Sequence, residues 1–312
     1  MSEWRRTGPA DPRLPRSAGG PACSDRSRSR DEDLTATASP GRRWLLVEVA
    51  GAWGWNVWAD SPALPPETGI ALARRVQRAG MRILAIRRPG RSRGAGRWRW
   101  AVVDTGLATV RWGEADGPDE LLSLPLDGST GTPSDRPVFA VCAHGRHDEC
   151  CAVRGRSVAA RLAEAFPDET WECSHLGGDR FAATTMLFPY GLNHGRVDEL
   201  DPVAIAEAST HGIVAPDGFR GRSLYSHVEQ AAVAAAAARS GDHRIDAFRP
   251  RGVRAPETLD DPAGWSVELD SDAGAVVVTL DRVHSDPTFS TCRATVAVEI
   301  PRFVVRDVAT AG

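Results

Sequence analysis

Lysine is absent from the chain: all 38 basic residues are arginine. That excludes a lysine nucleophile or Schiff base. A basic excess is missing too. The 41 acidic residues leave a formal net charge of −3, so no nucleic-acid partner is expected. No apolar run reaches the ~18 residues that a membrane-spanning helix needs, and no membrane partner is expected. The first residues lack a signal peptide's apolar core and mix acidic residues with arginines, so a cytoplasmic protein is expected. No Cys-x-x-Cys pair occurs. The glycines of VAGAWGWN, residues 49–56, match neither a dinucleotide nor a P-loop spacing.

The 312 residues, 42% hydrophobic and 25% charged, suit one large globular domain or two smaller ones. Residues 1–42 are rich in Ser, Arg, Pro and Gly without apolar periodicity and read as a disordered tail, with RSRSRDED as a solvated charge run. An N-terminal α/β region follows over 43–126. It consists of the strand RWLLVEVAG, a helix opened by Pro66 and closed by Gly80, the strand MRILAIRR, the loop PGRSRGAGR and a hairpin of WRWAVVDT with ATVRWG. Residues 127–137 read as a linker. Over 137–215 the predicted order is β-α-β-loop-β-β-α, with Asp148 capping a helix whose Val158, Leu162 and Phe166 form an i, i+4, i+8 stripe. Asp201 and Pro202 open the last helix of that region. Over 224–309 an alanine-rich helix ending at Gly241 precedes a small antiparallel sheet, its last strand opened by Cys292 as a buried structural residue. The fold class expected is therefore α/β.

The six cysteines are unevenly spread. Cys142, Cys150 and Cys151 share ten positions with His144 and His147, whereas Cys23, Cys173 and Cys292 stand apart. Such a cluster reads as metal or redox chemistry rather than a disulfide framework. Cys142 ends a predicted strand, and Cys150 and Cys151 fall in the first turn of a helix, where free amides and the positive helix end favour thiolate. The loop SHLGGD, residues 174–179, should reach the same end of the sheet. Gly177 and Gly178 allow backbone conformations that a Cβ forbids and let amides approach a bound anion or sulfide. His175 and Asp179 bracket them at i, i+4.

The stretches Cys142-x-His144-Gly145…Asp148-x-Cys150-Cys151, Trp171-x-x-Ser174-His175-x-Gly177-Gly178-x-Arg180-Phe181-Ala182 and Gly195-Arg196-Val197 resemble the sucrase/ferredoxin-like family. The likeness extends upstream over Cys23-Ser24 and WLLVEVAGAWG. It implies that the central region is a thioredoxin-like ferredoxin domain carrying a 2Fe-2S cluster, which exchanges single electrons with a redox partner protein. It implies Cys-Cys-His-His ligation, which falls on Cys142, Cys151 and His175; where that pattern has its second histidine this chain has Asp179.

Other readings remain beside this one. Zinc on Cys142, Cys151, Cys173 and His175 would be a Cys3His set. A thiol enzyme would use the helix-start cysteines. A glycosidase would need two facing carboxylates, and no spacing selects a pair among Asp148, Glu149, Glu172 and Asp179. The non-catalytic alternative is a thioredoxin-fold binding protein with a zinc or vacant site. Cys150 is expected to face the core, His144 and His147 to lie in a loop or only hydrogen-bond near the centre, and His194 and the tryptophans of VAGAWGWN to pack.

Overall fold

Strands form where short apolar runs leave no polar face to expose. The computed structural model, which describes residues 21–90, 97–258 and 264–310, builds a ten-stranded mixed sheet from such runs. In chain order the elements of its first half are α1 (Cys23–Ser29), β1 (Arg43–Glu48), α2 (Val57–Asp60), α3 (Pro66–Arg78), β2 (Arg82–Arg87), β3 (Trp98–Asp104), β4 (Thr109–Ala115) and β5 (Thr132–Ser134). Its second half is β6 (Val138–Cys142), α4 (Glu149–Ala165), β7 (Thr170–Cys173), β8 (Thr185–Phe188), β9 (Leu192–His194), α5 (Pro202–Thr210) and β10 (Phe219–Arg222). The chain then forms α6 (His227–Ser240), β11 (Arg249–Arg254), β12 (Trp265–Ser271), β13 (Gly274–His284) and β14 (Pro301–Thr310).

Sheet order is β10-β9-β8-β6-β7-β2-β1-β3-β4-β5. The central strands are buried on both faces: α3 and α4 cover one, and a core shared by both halves of the sheet lies on the other. On β1, Leu45 and Val47 meet Leu72 and Val76 of α3, while Trp44 and Leu46 face the opposite core. On β6, Phe139 and Val141 meet Val158 and Leu162 of α4, and Val138, Ala140 and Cys142 point the other way. Each such buried aliphatic side chain contributes roughly 1.5–3 kcal/mol. The parallel pairs β1–β2 and β6–β7 are joined by an antiparallel contact of β2 with β7, in which Ile86 faces Cys173. Residues 43–126 and 137–215 thus contribute to one sheet. The segment expected as a linker between them carries β5, the edge strand paired with β4.

The second sheet, β11-β12-β13-β14, is antiparallel throughout. The small side chains of Ala231, Ala232 and Ala236 let α6 approach it closely over Val267, Leu269, Val278 and Leu280. A capping box of Ser226 and Glu229 starts α6, and Gly241 ends it at φ +74°. No helix among the described residues is long and apolar enough to cross a membrane.

Two expectations need correction. Of the tail expected over 1–42, residues 1–20 lie outside the described residues, as does most of the loop after β2. Residues 21–42, however, hold α1 and are pinned down. Arg28 Nη2 donates to the Ala182 carbonyl (2.7 Å) and to Asp198 (2.8 Å), and Arg180 Nε donates to Glu32 (2.8 Å). Charge pairing, not apolar periodicity, orders this segment. Nor does Cys292 open the last strand, which starts at Pro301; it sits in the preceding loop, against α1 and α4.

Candidate metal centre

Cys142 arrives at the end of β6, and Gly155 lets α4 lie directly against it. A Cβ at position 155 would stand 2.0 Å from the Cys142 carbonyl oxygen. The first turn of α4 is fixed by Asp148, whose Oδ1 accepts from the Cys150 amide at 2.9 Å. Cys151 is thereby brought beside Cys142, close enough for each thiol to shift the other's titration. After β7, Ser174 is tied to β2, its Oγ accepting from the Ala85 amide at 3.0 Å. Gly177 and Gly178 then turn the chain at φ +91° and +80°. The space that their side chains would fill is taken by Ser39 and the Arg220 guanidinium, whose Nη1 donates to the Gly177 carbonyl at 2.9 Å.

That turn returns Asp179 to the helix start. Its Oδ1 accepts from His175 Nδ1 at 2.9 Å and from Cys151 Sγ at 3.4 Å. Its Oδ2 is buried, makes no hydrogen bond, and lies 3.7 Å from His147 Nε2. The four residues that the sequence singled out, Cys142, Cys151, His175 and Asp179, therefore form one connected set.

Electrostatics within it favours charge separation. The neighbouring Cys151 lowers the Cys142 thiol below its ordinary value, and Cys142, with burial, raises Cys151 well above it. Burial opposes the charge on Asp179, yet the neighbouring His175 and its hydrogen bond hold the carboxyl below the usual range. Burial likewise opposes an imidazolium at His175, and Asp179 outweighs it, so the ring titrates above its ordinary value. His147 is pushed down to about 4 by burial and then by His175. Beneath the loop lies Arg220, wholly buried and lowered to about 9 by desolvation. It is held by Thr37 Oγ1 (3.0 Å) and the Thr37 carbonyl (2.6 Å).

Two participants were not read from the sequence. His147, assigned there to the surrounding loop, belongs to the group: one donor atom each of His147, His175 and Asp179 lie within 4.8 Å of one another. The loop after β1 closes over these rings. His144 Nε2 donates to the Gly54 carbonyl (2.7 Å), with Trp53 5.6 Å from His144 and Trp55 5.8 Å from His147, centroid to centroid. Only the tryptophan–glycine run hinted at it, and that run also fits plain packing. Cys173 is in register with Cys142 and fully buried, and desolvation raises its thiol well above the usual value. His194 packs beside Phe219 and donates from Nε2 to the Ala215 carbonyl. Cys150 turns away from Cys151, toward Cys23 and Cys292.

Comparison with known proteins gave no match among curated proteins and none among solved structures. A sequence model of the sucrase/ferredoxin-like family, however, matches residues 34–221. That span is well over half of the chain and contains the whole Cys142–Asp179 set, so the chain belongs to the sucrase/ferredoxin-like family.

Proposed function

We propose that this protein transfers electrons through a 2Fe-2S cluster held by Cys142, Cys151, His175 and Asp179. The donors fit such a group. A binuclear cluster takes one donor pair per iron, and histidine replaces cysteine on one iron in Rieske-type centres. Here the neighbouring thiols Cys142 and Cys151 supply one pair, and His175 with Asp179 supplies the other. The observation that carries the reading is Asp179 Oδ2: a buried carboxylate oxygen without a hydrogen bond, on a carboxyl whose other oxygen accepts from Cys151 and His175. An unpaired oxygen in such a place is costly unless something else binds it. The strand order β9-β8-β6-β7, with β6 and β7 parallel and β8 and β9 antiparallel, supports the thioredoxin-like reading of the central region.

When bound, the cluster supplies uptake and release of one electron. The chain's own residues set its surroundings. The buried Arg220 cation offsets the negative charge gathered at Cys142, Cys151 and Asp179. The apolar core around Cys142 and Cys151 keeps water from the thiol side. The histidine side is the open one, with the His147 and His175 side chains 25% and 35% exposed. A redox partner protein would dock over that edge, the shortest path to the cluster.

The test is iron and acid-labile sulfide analysis of anaerobically purified protein, with EPR after reduction. About two of each per chain are expected, with a signal of one unpaired electron. Absence of both, persisting after anaerobic reconstitution with iron and sulfide, would reject the reading.

A further inference from the structure

The second cysteine of the vicinal pair leads to a different cluster. Cys150 Sγ lies 3.0 Å from Cys292 Sγ and 3.6 Å from Cys23 Sγ, and those two are 3.5 Å apart. Asp148 Oδ2 stands 3.8 Å from Cys23 Sγ, and one donor atom from each of the four residues lies within 4.8 Å of the others. These side chains come from α1, from the start of α4 and from the loop before β14, segments separated by 127 and 142 residues along the chain. The surroundings are arranged for charged sulfur. Ser24 Oγ donates to Cys150 Sγ at 3.2 Å, and the Cys23 amide points to Cys292 Sγ at 3.4 Å. Asp148 cannot swing, because its two oxygens accept from the amides of Cys150 (2.9 Å) and Cys292 (2.7 Å).

A tetrahedral ion with metal–sulfur bonds of ~2.3 Å spaces its sulfur donors by ~3.8 Å. The observed triangle needs an opening of less than ~1 Å to take one. A disulfide would use two of the three sulfurs and bring them to ~2.05 Å, leaving the third without purpose. Thiolate-rich tetrahedral sets select zinc over harder divalent ions.

We propose that Cys23, Cys150, Cys292 and Asp148 form a second, independent metal site that binds one zinc ion and fastens α1 and the loop before β14 to the start of α4. Two of its sulfur ligands, Cys23 and Cys292, lie outside the family match over 34–221. Contacts beside the site already bring its parts together. Arg30 donates to the Pro287 carbonyl (3.1 Å) and to Thr288 Oγ1 (2.6 Å), and Arg26 lies 4.6 Å over the Phe289 ring. Loss of one ligand should therefore leave the chain folded.

The experiment uses the reduced full-length chain. Zinc is measured as purified, and after chelation Co2+ is titrated as a spectroscopic probe, with circular dichroism to report folding. The parent should hold one zinc per chain in this site and, with Co2+, show thiolate-to-metal absorption. Cys23→Ser and Cys292→Ser should each lose one equivalent and remain folded. The double variant Cys142→Ser/Cys151→Ser should keep this equivalent, whatever becomes of iron and sulfide. Failure of the electron-transfer reading would change iron content without touching this pattern. Three results would overturn the site: zinc that survives in Cys292→Ser and disappears in the double variant; three freely alkylated thiols with no zinc; or a Cys150–Cys292 disulfide found by mass spectrometry in the untreated protein.

Discussion

Replacing Gly155 by alanine sets two effects of opposite sign against each other. On an isolated helix the change would stabilise by about 1 kcal/mol. In this fold the new Cβ would lie 2.0 Å from the Cys142 carbonyl oxygen and 3.1 Å from its carbon, both of them backbone atoms. Real Cβ contacts do not fall under 3.0 Å, so α4 and β6 must part by about 1 Å. The strand cannot yield, since it is paired with β7 on one side and β8 on the other. The helix must move, and it carries Cys150 and Cys151 with it. Overpacking against rigid backbone costs about 3 kcal/mol at the upper end of its usual range. The helical gain offsets a third of that, leaving a net loss of about 2 kcal/mol. Such a shift would also carry Cys151 away from Asp179 and Cys150 away from Cys23 and Cys292, so the metal content of the variant should fall. Urea unfolding of metal-free protein and metal analysis of the purified variant measure the two effects. Arg156→Ala, at the exposed neighbouring position, serves as control and should stay within about 0.5 kcal/mol of the parent. A Gly155→Ala protein as stable as the parent and fully loaded would show that α4 is not pressed on β6 as described.

Other perturbations separate the residues of the centre. Cys142→Ser and Cys151→Ser should lose iron and sulfide while Cys150→Ser keeps both; the opposite pattern between 150 and 151 would reassign the ligand. Asp179→His should raise the midpoint potential, because a neutral ligand replaces a negative one, whereas Asp179→Ala should leave a labile cluster; unchanged titrations in both would hand the fourth position to His147. His194, away from both metal groups, tests acid stability. Burial lowers it from 6.5 to about 4 in the fold, so above 6.5 both states are neutral and no stability is lost. As pH falls from 6.5 towards 4, the unfolded chain takes up a proton that the fold refuses, costing up to about 3 kcal/mol. Urea midpoints measured across this window should fall less steeply in His194→Asn, and an equal slope would refute the assignment.

What the sequence disclosed depended on how local each determinant is. Asp148, Asp201 and Pro202 mark helix starts through contacts spanning two or three residues, and α4 and α5 begin where those residues place them. β10 was missed because FRGR has no alternation; its Arg220 and Arg222 are buried through carbonyls, the Thr37 hydroxyl and an aspartate brought in by other segments. The single sheet was missed for a related reason: the short β2–β7 contact joins runs that each read as a complete strand. At the centre, Cys142, Cys151, His175 and Asp179 were legible because helix-start, strand-end and glycine-turn signals all lie near them. His147 and the Trp53–Trp55 loop were not, since their roles depend on packing between segments about ninety residues apart. Cys23 was hidden by a polar, arginine-rich stretch that gains order through ion pairs with Asp198 and Glu199.

The vicinal cysteines tie these observations together. Adjacent residues on a helix diverge by about 100°, so Cys150 and Cys151 face different partners. Asp148 fixes how they are divided. Its Oδ1 holds the first amide of the pair and thereby sets the rotation of the turn, while its Oδ2 holds the Cys292 amide and the loop that carries the third sulfur. Burial, and then the charge of Asp179, push its carboxyl up to about 7, so two carboxylates already feel each other across the helix start. One helix turn thus directs its two thiols to two different groups of donors, Cys151 to Asp179 and Cys150 to Cys23 and Cys292.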